Sequence, residues 1–111
     1  MSQHVHYQAE VKYATISGAT SGNNTVVAAV TSKRIVVLSY VLVAAGAVNV
    51  RFESGAGGTA LTGVMSIGAN GGIVAPHNPY GWFDTAVGAL LNMELGGAVQ
   101  VSGHLTYQEV A

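Results

Sequence analysis

One stretch of the chain decides the fold: residues 34–45, which read RIVVLSYVLVAA. In an extended strand successive side chains point to opposite faces, and here both faces are apolar. A buried helix is the alternative for such a run, but the stretch is rich in β-branched residues, which favour strands. We therefore predict a strand that is covered on both sides. One face carries Ile35, Val37, Val41 and Val43, and the other carries Val36, Leu38, Tyr40 and Leu42.

Only one side of a strand in a small antiparallel fold can meet the intramolecular core. The other side is expected to meet a neighbouring subunit, and the predicted oligomer interface is Val36, Leu38, Tyr40 and Leu42. The opposite face, with Val37 and Val41, stays the alternative. Composition points the same way, because the 111 residues include only four basic and five acidic ones, where about 28 charged residues would be usual. We predict a homo-oligomer.

Alternating patterns with one polar face recur outside this stretch. They occupy residues 48–53, 91–95 and 98–110, and each predicts a half-buried strand. Shorter candidates lie at residues 9–16, 25–30, 61–67, 72–75 and 81–85, whereas residues 86–91 are the place where a short helix fits best. Asn70 and Gly71 predict a hairpin with a type I′ turn, since this pair tolerates positive φ.

Fifteen glycines and two prolines separate these runs, as is typical of an all-β chain. The predicted fold is an antiparallel β-sandwich, jelly-roll-like, with eight to nine short strands. It forms one domain over residues 9–111, preceded by an N-terminal arm at residues 1–8.

Several classes of function are disfavoured by composition. The absence of cysteine excludes disulfides, thiolate zinc sites and cysteine nucleophiles. A net charge of −1 without a basic run argues against nucleic acid and anionic membranes. The longest apolar stretch, residues 35–48, is shorter than the roughly 20 residues of a membrane helix, and the first residues lack the pattern of a secretory signal. We expect no membrane or nucleic-acid partner, and a chain that stays in the cytoplasm of the cell that makes it.

The first residues contain one metal-ligand pattern. His4 and His6, followed by Glu10, resemble the first metal motif of the cupins, and on a strand the two histidines would share one face. The second cupin motif would need a histidine where Asp84 follows the Pro79 segment. We therefore expect no cofactor, and a small cupin-like metal- or ligand-binding jelly-roll protein using His4, His6 and Glu10 is the alternative.

Catalytic patterns are not found. The chain lacks a Gly-x-Ser-x-Gly elbow and has a single aspartate, Asp84. Glu53, Glu94 and His104 fall on predicted polar faces, where solvation is the common role of such groups. We predict no catalytic residues and no enzymatic activity.

Residues 75–83 read APHNPYGWF and gather both prolines, the only tryptophan and two further aromatic residues. One interpretation is a rigid loop whose Trp82 or Phe83 closes the end of the sandwich. The other is a contact loop, because aromatic groups on a proline-stiffened loop offer contact area at low entropic cost. The predicted partner-contact residues are His77, Pro79, Tyr80 and Trp82.

Four further strings carry a resemblance that spans residues 24–110: TVVAAV at 25–30, VRFESG at 50–55, GWF at 81–83 and GHLTY at 103–107. In their order the chain resembles short β-rich virion proteins of tailed bacteriophages, of the head decoration or cement type. The resemblance implies a jelly-roll-like unit that forms a homotrimer and binds the major capsid protein or another virion protein. It also implies a location in the virion, assembled in the host cytoplasm. A fibre or tail receptor-binding module is a further alternative.

Overall fold

A computed structural model describes residues 9–111 as ten β-strands, with no helix in this part of the chain. In chain order the strands are β1 (Lys12–Gly18), β2 (Gly22–Val27), β3 (Arg34–Ala44), β4 (Val48–Ser54), β5 (Thr59–Ala60), β6 (Met65–Ile67), β7 (Gly72–Ala75), β8 (Phe83–Asp84), β9 (Leu91–Leu95) and β10 (Val101–Val110). The long apolar stretch is thus a strand, as predicted, and is the longest of them.

The strands form two antiparallel sheets. The front sheet has the order β1-β10-β3-β7, with β8 also paired to β3, and the back sheet has the order β2-β9-β4-β5, with β6 also paired to β4. The short strands β7 and β8 occupy different heights along β3, so together they act as one interrupted edge strand. Eight strand positions in this order are a jelly roll, and the predicted all-β antiparallel sandwich is confirmed.

The core lies between the two sheets. An aromatic group stands at its centre, where the ring of Phe52 lies 5.3 Å from that of Tyr40 and 5.4 Å from that of Phe83. These tilted contacts suit the quadrupoles of the rings. Aliphatic side chains from both sheets complete the cluster, among them Ile16, Leu42, Val50, Leu91, Met93, Leu95 and Leu105.

Strand β3 does not keep one register along its length. Tyr107 of β10 pairs with Val37, whereas the preceding Thr106 pairs with Ser39, so Leu38 is one extra residue in β3. A bulge of this kind moves the following side chains to the opposite face. Because of the bulge, the single face of β3 that points into the core takes apolar residues from both alternating sets of the strand. Its members are Ile35 and Val37 before the bulge, and Tyr40, Leu42 and Ala44 after it.

The bulge corrects the predicted oligomer interface. Tyr40 and Leu42 belong to the core between the sheets, so they are closed to a neighbouring subunit. Leu38 is also buried, at 1% exposure, and Val36 is half-buried on the outer side of the sheet. The prediction that these four residues share one outer face is wrong, because the alternation on which it rests changes phase at Leu38.

A predicted hairpin and a predicted short helix also differ in the structure. Asn70 has a φ of 62°, as expected for a turn, but it connects β6 in the back sheet to β7 in the front sheet. The predicted hairpin is therefore wrong. Residues 86–90 form a turn around Gly88, whose φ is 77°, instead of a short helix. Within residues 9–111 no helix has the length and hydrophobicity needed to cross a membrane.

Candidate interaction surface and aromatic cleft

The outer side of the front sheet carries a patch without formal charge. Strand pairing aligns Val41 with His104 on one side and with Val74 on the other. Val43 is 49% exposed and Val74 is 70% exposed. We call this patch the neutral face. Its members are Ser39, Val41 and Val43 of β3, Val74 of β7, and Ser102, His104 and Thr106 of β10.

The polar groups of the neutral face are hydroxyls and one imidazole. The hydroxyl oxygens of Ser39 and Thr106 lie 2.6 Å apart and bond to each other. His104 is exposed at the middle of the patch, where it pairs across the sheet with Thr15 of β1 as well as with Val41. A partner that covers this patch would therefore bury valine side chains without desolvating a carboxylate or an ammonium group.

The outer side of the back sheet is different in character. Its side chains come from β2, β4 and β9 and include Asn23, Asn49, Arg51, Glu53, Asn92 and Glu94. Because this side carries charged groups of both signs, it is suited to contact with water. The back sheet thus differs from the neutral face, although the outer side of the front sheet has its own ion pair, Arg34 with Asp84, near the start of β3.

Glu53 is the exception on this polar side, because it is buried at 1% exposure although its pattern predicted solvent contact. Arg51 Nε donates to Glu53 Oε2 at 2.7 Å, and Arg51 Nη2 lies 2.7 Å from the same oxygen in an ion pair. Asn92 Nδ2 donates to Glu53 Oε1 at 2.9 Å and to Asn23 Oδ1 at 2.9 Å. Asn23 Oδ1 also accepts from the amide of Gly57 at 3.1 Å. The network thus ties the loop after β4 to the back sheet.

The aromatic loop, residues 75–83, is anchored on the bulge of β3. The amide of Asn78 donates to the carbonyl of Leu38 at 2.9 Å, and the amide of Trp82 donates to the carbonyl of Val37 at 2.8 Å. Asn78 also organises the turn, since its Oδ1 accepts from the amide of Tyr80 at 3.0 Å, as in an Asx turn. The bulge therefore fixes the position of the loop.

Gly81 allows the loop to approach β3 closely. Its φ is 87°, and a Cβ at this position would lie 2.5 Å from Val36 Cγ1. Both the backbone conformation and the available space require glycine here.

Phe83 fits the interpretation in which the loop closes the sandwich, and Trp82 fits the interpretation of a contact loop. The ring of Phe83 packs against Tyr40 and Phe52, so Phe83 closes the core. Trp82 points the other way and is 47% exposed, with its Nε1 donating to the carbonyl of Pro76 at 2.8 Å. The predicted contact residues His77, Pro79, Tyr80 and Trp82 are all exposed.

A cleft of about 310 Å³ lies between this loop and the ends of β3 and β10. We call it the aromatic cleft; its lining includes Arg34, Val36, Tyr80, Trp82, Asp84 and Gln108. Arg34 Nη1 donates to Asp84 Oδ2 at 2.8 Å, and each side chain is 43% exposed. The cleft thus combines aromatic rings with one ion pair whose charges cancel.

Of the three predicted metal residues, only Glu10 falls within the described part of the chain, and it belongs to neither the neutral face nor the aromatic cleft. His4 and His6 lie outside the described residues, and Glu10 is exposed ahead of β1. Among residues 9–111 no group of three histidine, cysteine, aspartate or glutamate side chains is arranged to hold a metal ion. The cupin-like site therefore stays a prediction.

Among residues 9–111, two side chains have a shifted pKa. The hydrogen bond from Lys12 to Glu109, at 3.2 Å, and the charge of that carboxylate raise the pKa of the Lys12 ammonium. Burial raises the pKa of the Tyr40 phenol. Neither group belongs to the neutral face or the aromatic cleft, so these shifts describe the fold and not the candidate site.

The fold and its surfaces define a small jelly-roll protein with one uncharged patch on the front sheet and one aromatic cleft. Comparison of the chain with models of protein families, with curated proteins and with solved structures finds no match. Its function is therefore argued from these surfaces.

Proposed function

We propose that this chain is a non-enzymatic virion structural protein of a tailed bacteriophage, of the capsid decoration or cement type. It forms a homo-oligomer through the neutral face, with three copies as the state that the resemblance to virion proteins implies. The oligomer binds the major capsid protein or another virion protein and is located in the virion, after assembly in the host cytoplasm. The observation that carries the proposal is the neutral face on the outer side of the front sheet.

An uncharged face suits contact between copies of one chain. In a symmetric oligomer, groups near the axis meet their own copies, so a formal charge there would face a like charge. The neutral face avoids this repulsion and offers the exposed valines Val43 and Val74. Full burial of a valine side chain contributes about 1.5–3 kcal/mol. Association through this face therefore has a source of free energy and no repulsion between formal charges.

The charged groups of the described residues support a structural role. Six of the nine charged side chains in residues 9–111 form ion pairs with one another: Lys12 with Glu109, Arg34 with Asp84, and Arg51 with Glu53. Catalysis needs ionisable groups that converge on a reacting atom, whereas these pairs lie on separate parts of the sandwich. The phage assignment itself rests on the resemblance of residues 24–110 to virion proteins.

Two measurements test the proposal. Light scattering after size exclusion should give a mass near three times the 11.3 kDa of one chain. Mass spectrometry of purified virions, from the phage whose genome carries this sequence, should detect the chain in a fixed ratio to the major capsid protein. A monomer in solution, or virions without the chain, would contradict the proposal.

One observation favours the alternative of a fibre or tail module, namely the exposed aromatic cleft. A density map of the intact particle separates the two locations. Density for the jelly roll on the capsid lattice supports the decoration protein, and density at the tail tip supports the alternative.

A further inference from the structure

We infer that the aromatic cleft is a binding site for a neutral saccharide. This goes beyond the proposed assembly role, because the cleft lies at the Arg34 end of the front sheet and shares no residue with the neutral face.

The rings of the cleft are presented in a way that suits stacking. Tyr80 is 80% exposed and Trp82 is 47% exposed. The indole N–H of Trp82 is already used on the carbonyl of Pro76, so the ring offers its face and not a hydrogen bond. The face of an aromatic ring is electronegative, and the C–H groups on one side of a sugar ring complement it through weak contacts. A proline-rich peptide also docks in an aromatic groove, but it uses contacts of its backbone in addition to packing on the rings.

The polar groups beside the rings suit hydroxyls. Arg34 and Asp84 lie side by side at 2.8 Å, so donors and acceptors adjoin each other. Neighbouring sugar hydroxyls each donate and accept, and thus match such a pair. Because the two charges cancel, the cleft lacks the positive charge with which proteins hold a nucleic-acid backbone or a phosphate. A neutral polar ligand is therefore favoured over an anion.

The cleft is formed before any ligand binds. The aromatic loop is held by the carbonyls of Val37 and Leu38, and by the close approach of Gly81 to Val36. A rigid site loses little entropy on binding. Its volume of about 310 Å³ lies at the lower end of the range for small-molecule pockets, so it fits one or two sugar rings.

Tryptophan fluorescence tests the inference directly, since Trp82 is the only tryptophan of the chain. Maltotriose, cellotriose and chitotriose represent soluble polysaccharide, and vesicles of a neutral diglucosyl diacylglycerol represent a glycolipid source. A saturable change with a member of either arm, with a Kd of about 10 mM or lower, is the expected result. The inference is overturned by an unchanged spectrum in both arms, or by a response only to a proline-rich peptide or a nucleotide.

Two variants locate the response in the cleft. Tyr80→Ala and Asp84→Asn should each weaken saccharide binding by about tenfold, as loss of a central contact does. Tyr13→Ala is the matched control, because Tyr13 is 82% exposed and lies outside the cleft, and it should bind as the wild type does. Equal binding by Tyr80→Ala and Tyr13→Ala would overturn the inference. The mass of the Tyr80→Ala oligomer is measured in parallel, so failure of the saccharide site is distinguished from failure of assembly.

Discussion

Trp82 and Phe83 are neighbours in the chain but belong to opposite sides of the front sheet. Phe83 enters the core, where its ring lies 6.0 Å from Tyr40 and 5.4 Å from Phe52. Trp82 stays at the surface, held by one hydrogen bond to Pro76. The alternation of side chains as the chain enters β8 thus separates a packing residue from an exposed residue within one aromatic pair.

Alanine substitutions should reveal this division. Phe83→Ala is expected to lower the free energy of unfolding by about 3–5 kcal/mol, as loss of a core aromatic does. Trp82→Ala removes one hydrogen bond and partial packing, so we expect about 1–2 kcal/mol. Urea denaturation followed by circular dichroism measures both. Equal losses would place Trp82 in the core and contradict its assignment to the cleft.

Glu53 is a charged residue that is buried on the outer side of the back sheet. Its carboxylate is buried, but both oxygens accept hydrogen bonds, from Arg51 and from Asn92. Burial of a charge is tolerable when it is paired and hydrogen-bonded in this way. The alternation of β4 correctly predicts that Glu53 lies on the outer side of the sheet. It does not predict that other side chains cover Glu53 there.

Glu53→Gln should lower the free energy of unfolding by about 2 kcal/mol, because hydrogen bonds to a charged group are stronger than neutral ones. Glu94→Gln is the control, since Glu94 is on the same side of the sheet and only half-buried; it should change stability by less than about 0.5 kcal/mol. Chemical denaturation near neutral pH compares them. Similar values for both variants would mean that the buried network contributes nothing specific.

The strands that alternate cleanly were predictable from the sequence. Residues 34–45, 48–53 and 91–95 correspond closely to β3, β4 and β9, since period-two hydrophobicity is a local signal. The bulge at Leu38 was not predictable, because apolar residues on both sides of it hide the change of phase. Edge strands as short as β5 and β8 have no periodicity to detect. Likewise, Asn70 indicates a turn but not which sheet the next strand joins.

The candidate site was predictable only where it is contiguous. Residues 75–83 stand out by their aromatic and proline content, and the four residues predicted there are exposed in the structure. Arg34 and Gln108 come to the cleft from β3 and β10, so only the folded chain brings them together. The neutral face needs the phase of β3 after the bulge, which places Val41 and Val43 outside.

Gly81→Ala tests the coupling between the aromatic loop and the bulge. A methyl group there would clash with Val36 Cγ1 and strain a positive φ of 87°, so we expect a loss of about 2–3 kcal/mol. Gly88→Ala is the control, because Gly88 has a φ of 77° but open space around its Cβ position, and it should cost about 1 kcal/mol. Thermal denaturation gives both values. The close approach is refuted if the two variants are equally stable.

Across the whole molecule, the outer side of the back sheet and the neutral face differ in their content of charged groups. Charged groups of both signs stand on the back sheet, whereas the neutral face of the front sheet exposes valines and hydroxyls. With four basic and five acidic residues in 111, the chain has few means of keeping a large surface soluble by charge. This shortage of charge supports the proposed self-association through the neutral face.

Light scattering after size exclusion on Val43→Asp tests whether the protein self-associates through the neutral face. Val43 is 49% exposed at the neutral face, so the variant should fold, and an unpaired carboxylate in an apolar contact costs several kcal/mol. We predict a wild-type oligomer and a folded Val43→Asp monomer of 11.3 kDa, while Val87→Asp, at a 62% exposed position outside the neutral face, stays oligomeric. A monomeric wild type, or a Val43→Asp variant that assembles as the wild type does, would show that the neutral face is not an interface between copies.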